Sequence, residues 1–167
     1  MMKGKGFTMK VKTQTIVMPL PDESLIKSFE EYYGPFIFPE DYRRFLKEYN
    51  GVIPETRVFN YHDYEYVVER FLCLLDDDIE DYQNSPYDIG VIITQLDDRL
   101  LDEWDEDETG YKIIPIAALF AGNFVCLDYR TNDIPSIAIW FHEESDEYSP
   151  SLVKIADSFS EFIEMLY

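Results

Sequence analysis

Phe124–Val125–Cys126–Leu127–Asp128–Tyr129, then Arg130–Thr131–Asn132–Asp133, then Pro135–Ser136–Ile137–Ala138–Ile139–Trp140–Phe141–His142 is the stretch that decides the fold. Two runs of β-branched, aromatic and other apolar residues flank a polar segment whose Asn132–Asp133 suits a tight turn. The pattern predicts two strands joined as a hairpin. Upstream, Tyr111–Ala117 reads as a further strand. Its Pro115 puts it at an edge or marks its end, because proline has no N–H to give to a ladder. Arg57–Tyr61 and Tyr66–Leu75 are also strand-like. Asp88–Leu101 is divided between two periods. Gly90–Thr94 alone suits a strand, whereas Ile89, Ile92, Ile93, Leu96 and Leu100 share one face of a helix, and length favours the helix.

Helices are predicted at both ends. Asp22 caps one whose apolar face is Leu25, Ile26, Phe29 and Tyr33, with Gly34 as its stop. Pro39 opens a second, Glu40 and Asp41 suit the positive end of its dipole, and Tyr42, Phe45, Leu46 and Tyr49 line one face. Asn50–Gly51 supplies a left-handed stop. Ser158 and Glu161 form a capping box for a last helix with Phe159, Phe162, Ile163 and Leu166 as its buried stripe. Helices, strands, a helix, more strands and a terminal helix lack βαβ alternation, so the class is α+β.

The chain has 167 residues, the size of one domain, and its 46% hydrophobic content is enough for a sizeable core, which excludes global disorder. The 13 Tyr and 12 Phe need a packed interior or an interface. Residues 1–20 read as a poorly ordered lead-in and 21–167 as the domain. Lys3, Lys5, Lys10 and Lys12 lie in the first twelve residues, which hold no acid. The remaining 155 residues carry 34 acids against 10 bases. Such a body repels nucleic acid and anionic membrane and attracts basic partners. Ile16–Val17–Met18 stops at Pro19 and gives no secretion-type apolar region, and no run approaches a membrane span, so a cytoplasmic location is expected. Cys73 and Cys126 sit in apolar runs and read as reduced core residues.

No catalytic set emerges from the residues. Only His62 and His142 exist, and His142–Glu143–Glu144–Ser145–Asp146 lacks the second histidine of a zinc-protease helix. There is no Gly-x-Ser-x-Gly elbow and no phosphate-cradling glycine loop. Asp105–Gly110 fits the first half of a calcium loop, but the twelfth position, which needs a bidentate glutamate, is Ile116. The expectation is a protein without enzymatic activity, cofactor or metal.

What stands out is clustered acid. Asp76, Asp77 and Asp78 head a run with five acids in six residues, Asp76–Asp81. Asp97, Asp98, Asp102, Glu103, Asp105, Glu106, Asp107 and Glu108 put eight acids into twelve residues, with Trp104 among them and Arg99 the one base. Glu143–Glu147 adds four. Such clusters repel themselves, so each is either a solvated face or a docking surface for a cationic partner. Trp104 reads as an aromatic anchor of such a surface or as a core plug holding the loop down.

Four segments have a familiar form. Phe38–Pro39–Glu40–Asp41–Tyr42–Arg43–Arg44–Phe45–Leu46 is followed by Tyr49–Asn50–Gly51 and Pro54. Then come Ile114–Pro115–Ile116–Ala117 with Gly122–Asn123–Phe124–Val125–Cys126–Leu127–Asp128, and Pro135–Ser136–Ile137 with Ile139–Trp140–Phe141–His142–Glu143. Ile155–Ala156–Asp157–Ser158–Phe159–Ser160–Glu161–Phe162 closes the series. In this order they resemble the motifs of the SUKH (Smi/Knr-like) superfamily over about Leu25–Leu166. Ala121 stands where a second glycine is usual, and the acidic stretch between Leu96 and Tyr111 falls in a variable part of that family. The resemblance implies a single α+β domain, a mostly antiparallel sheet with N-terminal helices and a C-terminal helix packed on it, without catalysis. It implies an immunity protein that binds and neutralises a cognate polymorphic toxin, here a basic, nuclease-type domain. Yeast members, which act in cell-wall signalling, imply the alternative of a regulatory or scaffolding module.

Overall fold

A computed structural model describes residues 7, 9–105 and 110–167. Strands β3 (Val58–Tyr61), β4 (Tyr64–Phe71), β5 (Ile113–Leu119), β6 (Phe124–Asp128), β7 (Ser136–Trp140) and β8 (Leu152–Ala156) form one antiparallel sheet in sequence order. A two-stranded ladder pairs β1 (Val11–Lys12) with β2 (Ile53–Pro54). The helices are α1 (Glu23–Tyr33), α2 (Glu40–Tyr49), α3 (Ile89–Leu96) and α4 (Phe159–Met165). The class is α+β, as the order of elements predicts.

Local chemistry sets the helix ends. The Asp22 carboxylate accepts the Leu25 N–H at 2.8 Å, and Ser158 Oγ accepts the Glu161 N–H at 3.1 Å. Glu161 reaches back to the Asp157 N–H at 2.8 Å, completing the predicted capping box one residue early. Gly51 has φ +68°, the left-handed stop read from Asn50–Gly51. Ala121 also sits in the left-handed region, φ +72°, a backbone state that favours glycine.

The central hairpin pairs Phe124 with Trp140 and Asp128 with Ser136, but its loop is longer than a two-residue turn. Arg130 folds back onto Asp128 with Nε–Oδ1 and Nη2–Oδ2 distances of 3.0 Å, which holds the loop open. Pro115 lies neither at an edge nor at a strand end. β5 is an interior strand, and a register shift between Pro115 and Ala117 absorbs the missing donor. The Asp88–Leu101 segment is helical over α3 only; Asp97, at φ +39°, breaks the helix, and a separate 3₁₀ turn, Asp97–Leu100, follows.

One face of the sheet carries Phe71, Ala117, Val125 and Ile139, neighbours by register. Phe45 and Phe159 pack on it, with ring centroids 4.7 and 6.3 Å from Phe71. α2 and α4 lie there, and α1 joins them through Phe29, Phe38 and Tyr42. The opposite face carries Arg70, Ala118, Phe124 and Trp140. Residues 85–100 cover it: Arg70 stacks on the Tyr87 ring and Arg99 on the Trp140 ring, and Trp140 Nε1 donates to the Arg99 carbonyl at 3.0 Å.

The lead-in reading of residues 1–20 is corrected from Phe7 onward. Phe7 packs edge-on against Phe45, β1 pairs with β2, and Val17 is only 2% exposed. A strap held at isolated points has no period, which is why the sequence pattern missed it. Its main anchor is Asn50, fully buried. The Asn50 amide donates to the carbonyls of Val17 and Leu74, each at 3.2 Å, and its oxygen accepts the Leu74 N–H at 2.7 Å. A second buried tie joins α1 to α2. Arg43 Nη2 pairs with both Glu30 carboxylate oxygens at 2.6 and 2.8 Å, and Glu30 also accepts the Phe38 N–H at 2.6 Å.

Asn50→Ala orphans three buried backbone groups and is expected to cost about 2–4 kcal/mol. Asn50→Asp is expected to be no better, because its second oxygen faces the Val17 and Leu74 carbonyls. Melting curves of both variants check this. Glu30→Ala strands the buried Arg43 and is expected to cost about 3–5 kcal/mol. Glu23→Ala, which removes a half-exposed partner of the same arginine, is expected to leave the melting temperature nearly unchanged.

Candidate functional site

The acidic stretch is built outward from Arg99. Its guanidinium stacks on Trp140, donates from Nε to the Ser145 carbonyl at 3.1 Å and from Nη2 to the His142 carbonyl. The Tyr148 N–H returns a bond to the Asp98 carbonyl at 2.8 Å. The one base inside the acidic run therefore clamps Asp97–Leu100 to the 143–147 loop, which brings the start of that run beside a second acid cluster. Asp97 accepts the Tyr111 hydroxyl at 2.7 Å. Burial, with Asp97 beside it, pushes that hydroxyl's pKa up, so it stays a donor. Asp102 is tied to Arg130 at 3.5 Å and belongs to the framework as much as to the surface.

Glu103 and Trp104 lie in a short turn, Glu103–Asp105, beyond that framework. Trp104 is 81% exposed, which removes the core-plug reading and leaves its ring at the surface next to Glu103. Glu106, Asp107 and Glu108 lie outside the described residues, as does most of the calcium-like stretch. Ile116, at that loop's twelfth position, is fully buried in β5.

Asp76, Asp77 and Asp78 form a separate patch. Asp76 accepts the Asp78 N–H at 3.1 Å, so the carboxylates partly organise their own turn. Asp77 lines a hollow of about 390 Å³ with Tyr32, Tyr33 and Asp88 at the end of α1. The Tyr33 ring stands 6.4 Å from that of Tyr111, which in turn holds Asp97, so two aromatic rings lie between this hollow and Asp97.

Sequence reasoning missed one feature, a cleft of about 750 Å³. Phe36, Ile37 and Tyr129 give it an apolar wall, and the Arg43–Glu30 pair lies at its base. Glu31 and Asp133 face Lys27 and Lys112 around it, so its sign is mixed, unlike the acid loops. A signal existed: Glu30 and Arg43 each sit beside a core aromatic, Phe29 and Tyr42, on consecutive helices.

Burial pushes the Cys73 thiol up to about 12 and the Cys126 thiol well above its ordinary value, so both stay protonated. His142 stands beside Arg99, and His62 lies in the turn between β3 and β4. Among the described residues, no three His, Cys, Asp or Glu side chains converge as a metal-holding group, and no helix is long and apolar enough to cross a membrane.

The familiar segments are partners in space. Asp41 accepts the N–H and hydroxyl of Ser160, both at 2.9 Å, joining the first segment to the last. Asn123 accepts the His142 N–H at 2.9 Å, joining the second to the third. Residues 23–163 match the family model SUKH_6, described as SMI1-KNR4 cell-wall. No curated protein and no solved structure gives a match. The matched span takes in α1, α2, α3, strands β2 to β8 and the first five residues of α4. The chain belongs to the SUKH superfamily of SMI1-KNR4 domains, a group that includes immunity proteins.

Proposed function

We propose that the protein is an immunity protein: it binds a cognate toxin with a basic surface in the cytoplasm and neutralises it by occupancy, without turnover. The observation that carries this reading is the acidic face clamped by Arg99 onto the sheet, with Trp104 at the surface in the turn that follows. Fixed charge of one sign speeds encounter with an oppositely charged partner, and an exposed aromatic supplies a contact that slows release. Net charge of −20 also disfavours nucleic acid and anionic membrane as partners. The cell-wall wording of the matched family favours a second reading, a regulatory module that binds signalling proteins. Co-expression with any toxin domain encoded beside the gene separates the two. Growth is rescued under the first and not under the second.

Kinetics on that toxin domain test the face itself. Changing Glu103, Glu143, Asp146 and Glu147 to their amides is expected to slow association about tenfold at low salt and to flatten its salt dependence. The fold is expected to survive, since these side chains are exposed. Trp104→Ala is expected to speed dissociation by roughly thirtyfold, a loss of ~2 kcal/mol, with little change in on-rate. Stopped-flow rates that do not move in either variant would place the docking surface elsewhere.

A further inference from the structure

The sheet has two outer edges, and they differ. On β3, Tyr167 uses both backbone groups of Val58, at 3.0 and 2.9 Å, and its hydroxyl donates to the Asn60 side chain. The chain's last described residue thus caps that edge at Val58. On β8, the Phe141 N–H donates to the Ser151 carbonyl at 3.0 Å, and Val153 pairs with Ile139. Antiparallel alternation then turns the N–H and C=O groups of Leu152 and Lys154 away from β7. Among the described residues nothing pairs with them. An open edge of this kind is a template for another strand.

The surroundings select what pairs there. Residues 143–161 carry six acids and one base, Lys154, which is itself paired with Asp157. Glu144 stands at the head of the strand, where it accepts the Ser151 hydroxyl at 3.1 Å, and Asp157 follows its last residue. A second copy added antiparallel would set its own 143–147 loop against Asp157 and Glu161, acid on acid. An extended segment with basic side chains would meet acids at both ends. A register shift between Ile137 and Ala138 limits the edge to a few residues, enough for a short strand and too little for sheet stacking.

We propose that β8 is a strand-addition site for a basic extended segment of a partner protein, with Leu152 and Lys154 supplying the backbone donors and acceptors. The choice of a basic partner rests on the toxin-binding reading. Main-chain pairing gives such a contact its affinity, and the flanking acids give it its sign.

Amide hydrogen exchange of the full chain tests this, with an octapeptide of alternating lysine and valine as probe and a glutamate–valine octapeptide as control. The Leu152 and Lys154 N–H groups are expected to exchange fast in the free protein and to slow at least ~10-fold with the basic peptide only. The double variant Glu144→Gln/Asp157→Asn is expected to weaken that peptide ~5-fold, in a salt-dependent way. Binding of the peptide without protection of these two amides, or no binding at millimolar peptide, would overturn the proposal. Protection by the peptide without rescue of growth would sink the toxin reading and leave the edge standing. Rescue of growth with both amides unprotected in the toxin complex would do the reverse.

Discussion

Every side chain of β5 from Ile113 to Leu119 is buried, so the sheet has no face that can be left to water. A strand buried on both sides requires two covers, and the rest of the fold supplies them. α1, α2 and α4 close one face around Phe45, Phe71 and Phe159. Residues 85–100 close the other around Trp140. Covering the second face brings the acidic run to the surface at a fixed place. Arg99 must stack on Trp140, and the aspartates on either side of that turn are carried with it. Core packing and surface charge are thus coupled through one arginine.

Polar ties between distant segments hold the covers in place. Asn50 fastens the 11–20 strap and the chain after β4 to the end of α2. Asp41 fastens α2 to α4, and Glu30 with Arg43 fastens α1 to α2. Each is buried or partly buried and satisfied by several bonds. Such groups specify one arrangement of helices more sharply than apolar contact does, because a misplaced partner leaves a buried polar group bare.

Elements with a period or a cap were legible in the sequence: α1, α2, α4, the β6–β7 hairpin and the α+β class. Three things were not. β8, Leu152–Ala156, is a five-residue edge strand interrupted by Lys154, too short and too mixed for a clear period. The strap reads as noise because Val17 and Phe7 act singly. Pro115 pointed to an edge, since sequence shows the missing donor and not the bulge that accommodates it. At the site, the acid runs were visible as composition. That Arg99 would bring the start of one beside another and leave Asp76–Asp78 apart depended on contacts 43 and 46 residues away in the chain. Trp104 had two readings until its exposure was known.

On this account the acids serve encounter with a partner and cost the folded state, because like charges crowd on one face. The direct test is the melting temperature of the free protein as sodium chloride rises from ~0.01 to ~0.15 M, which shortens the screening length from ~30 to ~8 Å. The account predicts a rise of about 2–8 °C, the mark of ~1–2 kcal/mol of relieved repulsion. A flat or falling melting temperature would contradict it, and would mean that the acid clusters are held by internal pairing and help to build the fold.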